Sequence, residues 1–241
     1  MITNEITPFG KALLACYEGE TEAVVVIRRD DGIEAPLPMK YFFRQEPEFS
    51  EIEKEVIAKC RGNVLDIGAG SGIHSLVLQS KGHKVTAIDI CPEAVEVMKR
   101  HGLHDARVTS IFDFEGSGYD TLLLLGHGIG MMGDLAGLDT FLAFAKKLVY
   151  EKGQILLDSL DVTKTSDPGN LVYQQANLQD GHYVGEIRFQ IEFRGMAGPF
   201  LSWLHIDPET LAMHANRAGW SCEVLQNYES GDYLARLVKK D

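Results

Sequence analysis

Asp66, Asp89 and Asp113 each stand where an apolar run ends, and three glycines, Gly68, Gly70 and Gly72, follow the first of these acids. A carboxylate at a strand end can hold an ammonium, accept hydrogen bonds from both hydroxyls of a ribose, or accept the amino proton of a base, and it repels a diphosphate. Glycines this close together let the backbone take positive φ or let a ligand come within contact distance. Downstream, His127 lies between Gly126 and Gly128 after the run YDTLLLLG. An imidazole at such a strand end is suited to general base chemistry, and it is equally a loop histidine that bonds the backbone.

These residues need a scaffold of alternating strands and helices, and the sequence supplies the pattern. Strand signals at 63–67, KVTAIDI, ARVTSIFDF, YDTLLLLG and GQILLDSL alternate with helix signals. The helices begin at Ser50 with Glu53 in capping-box spacing, near residue 72, at Pro92, and at DLAGLDTFLAFAKKLVY. Alternation of this kind specifies parallel strands joined by crossover helices. Later, Ile187, Phe189, Ile191 and Phe193 alternate with polar residues, which marks an antiparallel strand with one wet face. The segment 161–183 reads as a long irregular connection.

The predicted fold class is α/β: a doubly wound, Rossmann-like, mostly parallel sheet of about seven strands, with antiparallel strands at the C-terminal end. Residues 1–45 carry the closely spaced prolines Pro36 and Pro38 and the aromatic cluster Tyr41, Phe42 and Phe43, and are expected as an N-terminal appendage that could act as a lid. Residues 46–241 are the expected main domain, with a hairpin insertion at about 183–206.

Composition narrows the partners. A formal net charge of -12 over 241 residues disfavours nucleic acid and anionic membranes. No apolar run approaches the ~18–20 residues that span a bilayer, and the start MITNEITPFG has no secretory pattern, so a cytoplasmic location is expected. Cys16, Cys60, Cys91 and Cys222 lie far apart without a C-x-x-C pair and read as free thiols, with no metal site expected.

Two cofactor classes fit a strand, glycine loop and helix. A dinucleotide asks for G-x-G-x-x-G, whereas the sequence has G-x-G-x-G with Ile73 next. Asp66 would also repel a pyrophosphate, yet it suits the ammonium of a methionine moiety. Asp89 is then placed to accept the ribose hydroxyls and Asp113 the adenine amino proton, with Phe114 covering the ring. S-adenosylmethionine fits better than NAD(P).

In this order the stretches VLDIGAGSG, AIDI, FDF and YDTLLLLGHGIG resemble the motifs of class I S-adenosylmethionine-dependent methyltransferases, and the similarity runs from residue 49 to 241. Within that family, GHGIGMMGDLAGL and HIDPETL are similar to small-molecule or uncharacterised bacterial members. The loop after the fourth strand lacks the N-P-P-[YF] pattern of amino-methylating enzymes. The resemblance implies methyl transfer to a small-molecule acceptor, with S-adenosylhomocysteine as product. It implies that Asp66, Gly68, Ala69, Gly70 and Gly72 hold the methionine part, with His74 a candidate for its carboxylate. Asp89 and Ile90 would hold the ribose, Asp113 and Phe114 the adenine, and Gly126 the sulfonium end.

His127 is the candidate catalytic base, and Tyr41, His127, Trp203 and His205 are candidate acceptor contacts. The expected partner is thus a small molecule, with a homodimer as one assembly open to the chain. An NAD(P)-dependent oxidoreductase and a non-catalytic S-adenosylmethionine-binding protein are the alternatives.

Overall fold

The computed structural model describes residues 6–240. The chain forms two compact units: one runs up to Glu115 and takes in Arg188–Leu201, and the other comprises Gly116–Ile187 and the chain from Ser202 onward.

The first unit opens with α1 (Thr7–Tyr17), which has Pro8 in its first turn, where a missing N–H costs nothing. β1 (Val24–Arg29) and β2 (Glu34–Pro38) pair antiparallel. β2 lies at the sheet edge, so it tolerates Pro36 and Pro38. A 3-10 segment, Met39–Phe43, carries the aromatic cluster. α2 (Glu51–Lys59) starts with the capping box that the sequence predicts: the Glu53 N–H donates to Ser50 Oγ (3.2 Å), and the Ser50 N–H donates to Glu53 Oε2 (2.7 Å).

β3 (Asn63–Ile67), α3 (Ile73–Ser80), β4 (Lys84–Asp89), α4 (Pro92–Arg100) and β5 (Ala106–Val108) follow. The pairings β3–β4 and β4–β5 are parallel. Val64, Leu65, Ile67, Ala87 and Ile88 are buried, as expected for strands covered on both faces.

The second unit holds β6 (Tyr119–Leu124), α5 (Leu135–Leu148), β7 (Val149–Leu160) and α6 (Pro168–Gln179). β8 (Glu186–Phe193) and β9 (Met196–Ala197) make a short hairpin, and β10 (Leu201–Leu204), α7 (Pro208–Arg217), β11 (Trp220–Asn227) and β12 (Asp232–Lys239) complete the chain. β6 pairs parallel with β7, while β12 is antiparallel to both β7 and β11. The fold is α/β with a seven-stranded, mostly parallel sheet.

Three elements differ from the sequence reading. The strand expected over ARVTSIFDF stops at Val108: the Thr109 N–H donates to the Asp89 carbonyl (3.0 Å), and the chain then turns under a Ser110 Oγ that accepts the Phe112 N–H (3.1 Å). Asp113 therefore closes a 3-10 turn and is exposed, rather than ending a third strand. The connection 161–183 contains α6, which begins at Pro168 with Asp167 Oδ1 accepting the Asn170 N–H (2.9 Å). Finally, β1 pairs antiparallel with β8 in the register Val26↔Glu192 to Arg29↔Phe189, a pairing between the N-terminal segment and the late hairpin that the sequence pattern does not record. Among the described residues, no helix is long and apolar enough to cross a membrane.

Candidate active site

In the first unit, the loop between β3 and α3 is tied to the end of β4. The N–H groups of Gly68 and Ala69 both donate to the Ile88 carbonyl (2.8 and 3.1 Å), and the Gly70 N–H donates to Asp89 Oδ2 (2.9 Å). Gly70 (φ +57°) and Gly72 (φ +79°) take left-handed backbone, and a Cβ on Gly72 would lie 2.7 Å from Met98 Cγ. Only glycine meets both demands at 72.

Asp89 Oδ1 accepts the Cys91 N–H (2.9 Å), so both carboxylate oxygens are held by backbone donors. Asp66 Oδ2 accepts the Ser75 Oγ–H (2.7 Å). Both acids are buried. Burial raises the Asp66 carboxyl above its ordinary range, and it pushes Asp89 up to about 6, with the Asp66 charge adding to the rise.

Around this loop the 3-10 segment is clipped in place. The Ser71 Oγ–H donates to the Phe42 carbonyl, and the Phe42 ring reaches to 3.8 Å from where a Cβ on Gly70 would stand. Arg44 donates twice to Glu53 (2.8 and 3.1 Å) and lies 3.6 Å above the Tyr41 ring. His74 Nε2 is 2.7 Å from Glu53 Oε1. Burial would raise Glu53, but its bonds to His74, Arg44 and the Ser50 backbone outweigh it and hold the carboxyl at about 2. His74, expected near a methionine carboxylate, is thus partnered by Glu53. Tyr41 is 46% exposed, Phe114 is buried, and Ile90 and Ala69 are half-buried.

In the second unit, the chain leaves β6 through Gly126 (φ +67°) into His127, which itself has φ +58°. The His127 N–H donates to Asp158 Oδ1 (3.1 Å), and the ring Nε2 lies 3.1 Å from Asp232 Oδ1 and 3.8 Å from Asp158 Oδ2. The His205 ring stands edge-on, 5.5 Å away between centroids. Burial, helped by the His127 charge, lowers the His205 imidazole to about 4, so it is neutral at physiological pH. Its Nδ1 is buried without a hydrogen-bond partner. Trp203, on β10, packs over the loop after His127: a Cβ on Gly130 would come within 2.0 Å of its Nε1.

The structure thus gathers Asp66, Gly68, Gly70, Gly72 and Asp89 around one loop, and separately gathers His127 with His205. Asp113 does not join the first group as an element end, and the sequence reading singled out neither Asp158, Asp232 nor the coupling of Arg44, Glu53 and His74. Among the described residues, no group of three or more His, Cys, Asp or Glu side chains is arranged to hold a metal ion.

A family model described as a methyltransferase domain matches residues 64–153. Across nearly the whole chain, the protein is similar to a solved SAM-dependent methyltransferase from Bacteroides fragilis, in complex with S-adenosyl-L-homocysteine. The identity is 34%, 99% of this chain and 97% of that one are covered, and the TM-score is 0.87. The protein belongs to the SAM-dependent methyltransferases.

Among curated proteins it is similar to the ubiquinone biosynthesis O-methyltransferase of Xylella fastidiosa, 44% identical over 55 residues, which is 21% of this chain and 22% of that protein. The chain therefore spans about a fifth of the length of that relative. The demethylmenaquinone methyltransferase of Tropheryma whipplei is 21% identical over 178 residues, 63% of this chain and 72% of that protein.

Proposed function

We propose that the protein transfers a methyl group from S-adenosylmethionine to a small-molecule acceptor. One observation carries the reading: two buried carboxyls, Asp66 and Asp89, whose hydrogen-bond donors are a serine hydroxyl and backbone N–H groups, all neutral. No charged side chain hydrogen-bonds this pair, so it fits a ligand bearing an ammonium and vicinal hydroxyls. A diphosphate would add negative charge where two acids already repel each other.

In this reading Asp66 and the backbone of Gly68, Ala69, Gly70 and Gly72 hold the amino-acid end, Asp89 and Ile90 hold the ribose, and Asp113 and Phe114 serve the adenine. Gly126 stays proposed for the sulfonium end. His74 acts on the amino-acid carboxylate through its remaining nitrogen. When bound, the sulfonium supplies an electrophilic methyl and a thioether leaving group. Orientation alone can contribute roughly 7–11 kcal/mol to such a displacement, so the protein residues bind, align and exclude water, and a base serves an acceptor that must lose a proton. His127 is proposed as that base. Trp203 and His205 are proposed as acceptor contacts in the second unit, and Tyr41 as one in the first. The O-methyltransferase relatives support an oxygen acceptor.

Calorimetry with S-adenosylmethionine and with NADH tests the reading, followed by detection of S-adenosylhomocysteine release with candidate acceptors. Binding of the first ligand alone is expected. Heat from NADH alone would overturn the assignment, and binding without release over a broad acceptor panel would leave a carrier of the cofactor in place of an enzyme.

A further inference from the structure

Asp232 has no role in the chemistry described so far, yet the second unit positions it with care. β12 pairs with β7 so that Leu234 faces Asp158, and residues two apart on a strand share a face, which brings Asp232 and Asp158 to one side of the sheet. The turn ahead of β12 fixes the start of that strand. Gly231 (φ +95°) donates to the Tyr228 carbonyl (3.0 Å), and a Cβ there would lie 2.8 Å from the Asp161 carbonyl oxygen. The Ser230 Oγ–H donates to Asp232 Oδ2 (2.6 Å), leaving Oδ1 to meet His127 Nε2 at 3.1 Å.

Asp158 holds the backbone of the same histidine and keeps its second oxygen 3.8 Å from the same ring nitrogen. An ionised carboxylate only accepts hydrogen bonds. The Asp232 carboxylate at 3.1 Å from Nε2 requires that this nitrogen carry the proton, which leaves the basic lone pair on Nδ1. The groups that face His127 are Asp158 from β7, Asp232 from β12 and His205 beyond β10. His205 is kept neutral by burial, so no second cation opposes an imidazolium at 127.

We infer that Asp232 is a positioning residue that commits His127 to the Nε2–H tautomer, making Nδ1 the atom that takes the acceptor's proton, and that the acceptor is a hydroxyl compound of phenol or enol type. This rests on the methyl-transfer reading. The O–H proton passes to Nδ1, and the O–H electron pair stays on oxygen for the new bond to the methyl carbon. The electron pair of the broken C–S bond leaves with sulfur, and the imidazolium charge is balanced by Asp232 and Asp158. A phenol, with a pKa near ~10, lies within a few units of imidazole, so the proton can move during attack. An ammonium must instead lose its proton before it has a lone pair to attack with.

The test combines nitrogen-15 spectra of the histidine-labelled full chain with kinetics on two probes, 3,4-dihydroxybenzoate and a primary amine. Wild-type His127 is expected as the Nε2–H tautomer. Asp232→Asn should mix the tautomers and lower kcat for the dihydroxy probe by about 10- to 10³-fold. KM and the S-adenosylmethionine dissociation constant should hold within about two-fold, and Asp232→Glu should restore part of kcat. An Nδ1–H tautomer in the wild type overturns the inference, and so does an Asp232→Asn chain with wild-type tautomer and kcat. Methylation of the amine but not the dihydroxy compound overturns the acceptor class. If Asp232→Asn fails to fold, the wild-type spectrum still decides the tautomer. Calorimetry with S-adenosylmethionine on the same sample keeps a failure here apart from a failure of the methyl-transfer reading.

Discussion

The two units each hold a pair of aspartates, and the pairs are built in opposite ways. Asp66 and Asp89 are buried and satisfied by neutral donors, and their carboxyls are raised. Asp158 and Asp232 meet an imidazole, and their side chains are 11% and 37% exposed. The first pair has no charged hydrogen-bond partner, and in the proposed reading the ligand brings one. The second pair already has a group that becomes positive on taking a proton. The contrast teaches that what the fold places beside acids of one residue type decides whether they are suited to binding or to proton transfer, the two roles proposed for these pairs.

His127→Ala gives the largest expected effect that could break this contrast: a fall in turnover of about 10²–10⁴-fold with an unchanged cofactor dissociation constant. Equal loss of both, measured by product release and calorimetry, would mean that the second cluster also binds cofactor. Asp89→Ala should do the reverse. A hydrogen bond to a charged group contributes about 1.5–3 kcal/mol, so affinity should fall roughly 10- to 150-fold, while turnover at saturation changes little. An unchanged affinity in calorimetry removes the ribose assignment.

A smaller effect is expected from Gly72→Ala, which places a Cβ against Met98 in left-handed backbone. It should destabilise the fold by about 1–3 kcal/mol, read as a lower melting temperature, and a wild-type melting curve would show that the loop is not held as described.

The smallest test is one of sign. The Asp89 carboxyl, pushed up to about 6 from 3.8, favours its protonated form in the folded chain, so its contribution to stability falls as pH rises between those values. A cationic ligand prefers the ionised form, hence cofactor affinity should rise with pH through about 6. His205 runs the other way: lowered to about 4 from 6.5, it costs stability as pH falls through that window. Melting curves of Asp89→Asn and His205→Gln should lose these opposite slopes, and a shared sign would undo the comparison.

Much of the first cluster was legible because it is local. Asp66 and its glycines occupy one turn of chain, and Asp89 ends the next apolar run, so strand periodicity and glycine spacing locate them. Asp113 lies past the strand, yet reads as its end because the β-branched Val108, Thr109 and Ile111 extend the strand pattern beyond the point where Ser110 caps a turn. α6 was hidden by its polar composition, although Asp167 and Pro168 supply a cap and a first turn. The second cluster was only half visible. The strand-end histidine stands out, but Asp158 and Asp232 meet it through sheet pairing between segments far apart in the chain, and no local spacing records that register. The pairing of β1 with β8 was missed for the same reason.

The left-handed backbone at His127 has a consequence for durability. A side chain in that conformation strains the fold by about 1–2 kcal/mol relative to ordinary geometry, and glycine at 127 would relieve it. A lineage selected for heat endurance alone would drift toward glycine there and, with His127 as the proposed base, lose its turnover, so this position is where thermal robustness and the proposed chemistry pull apart.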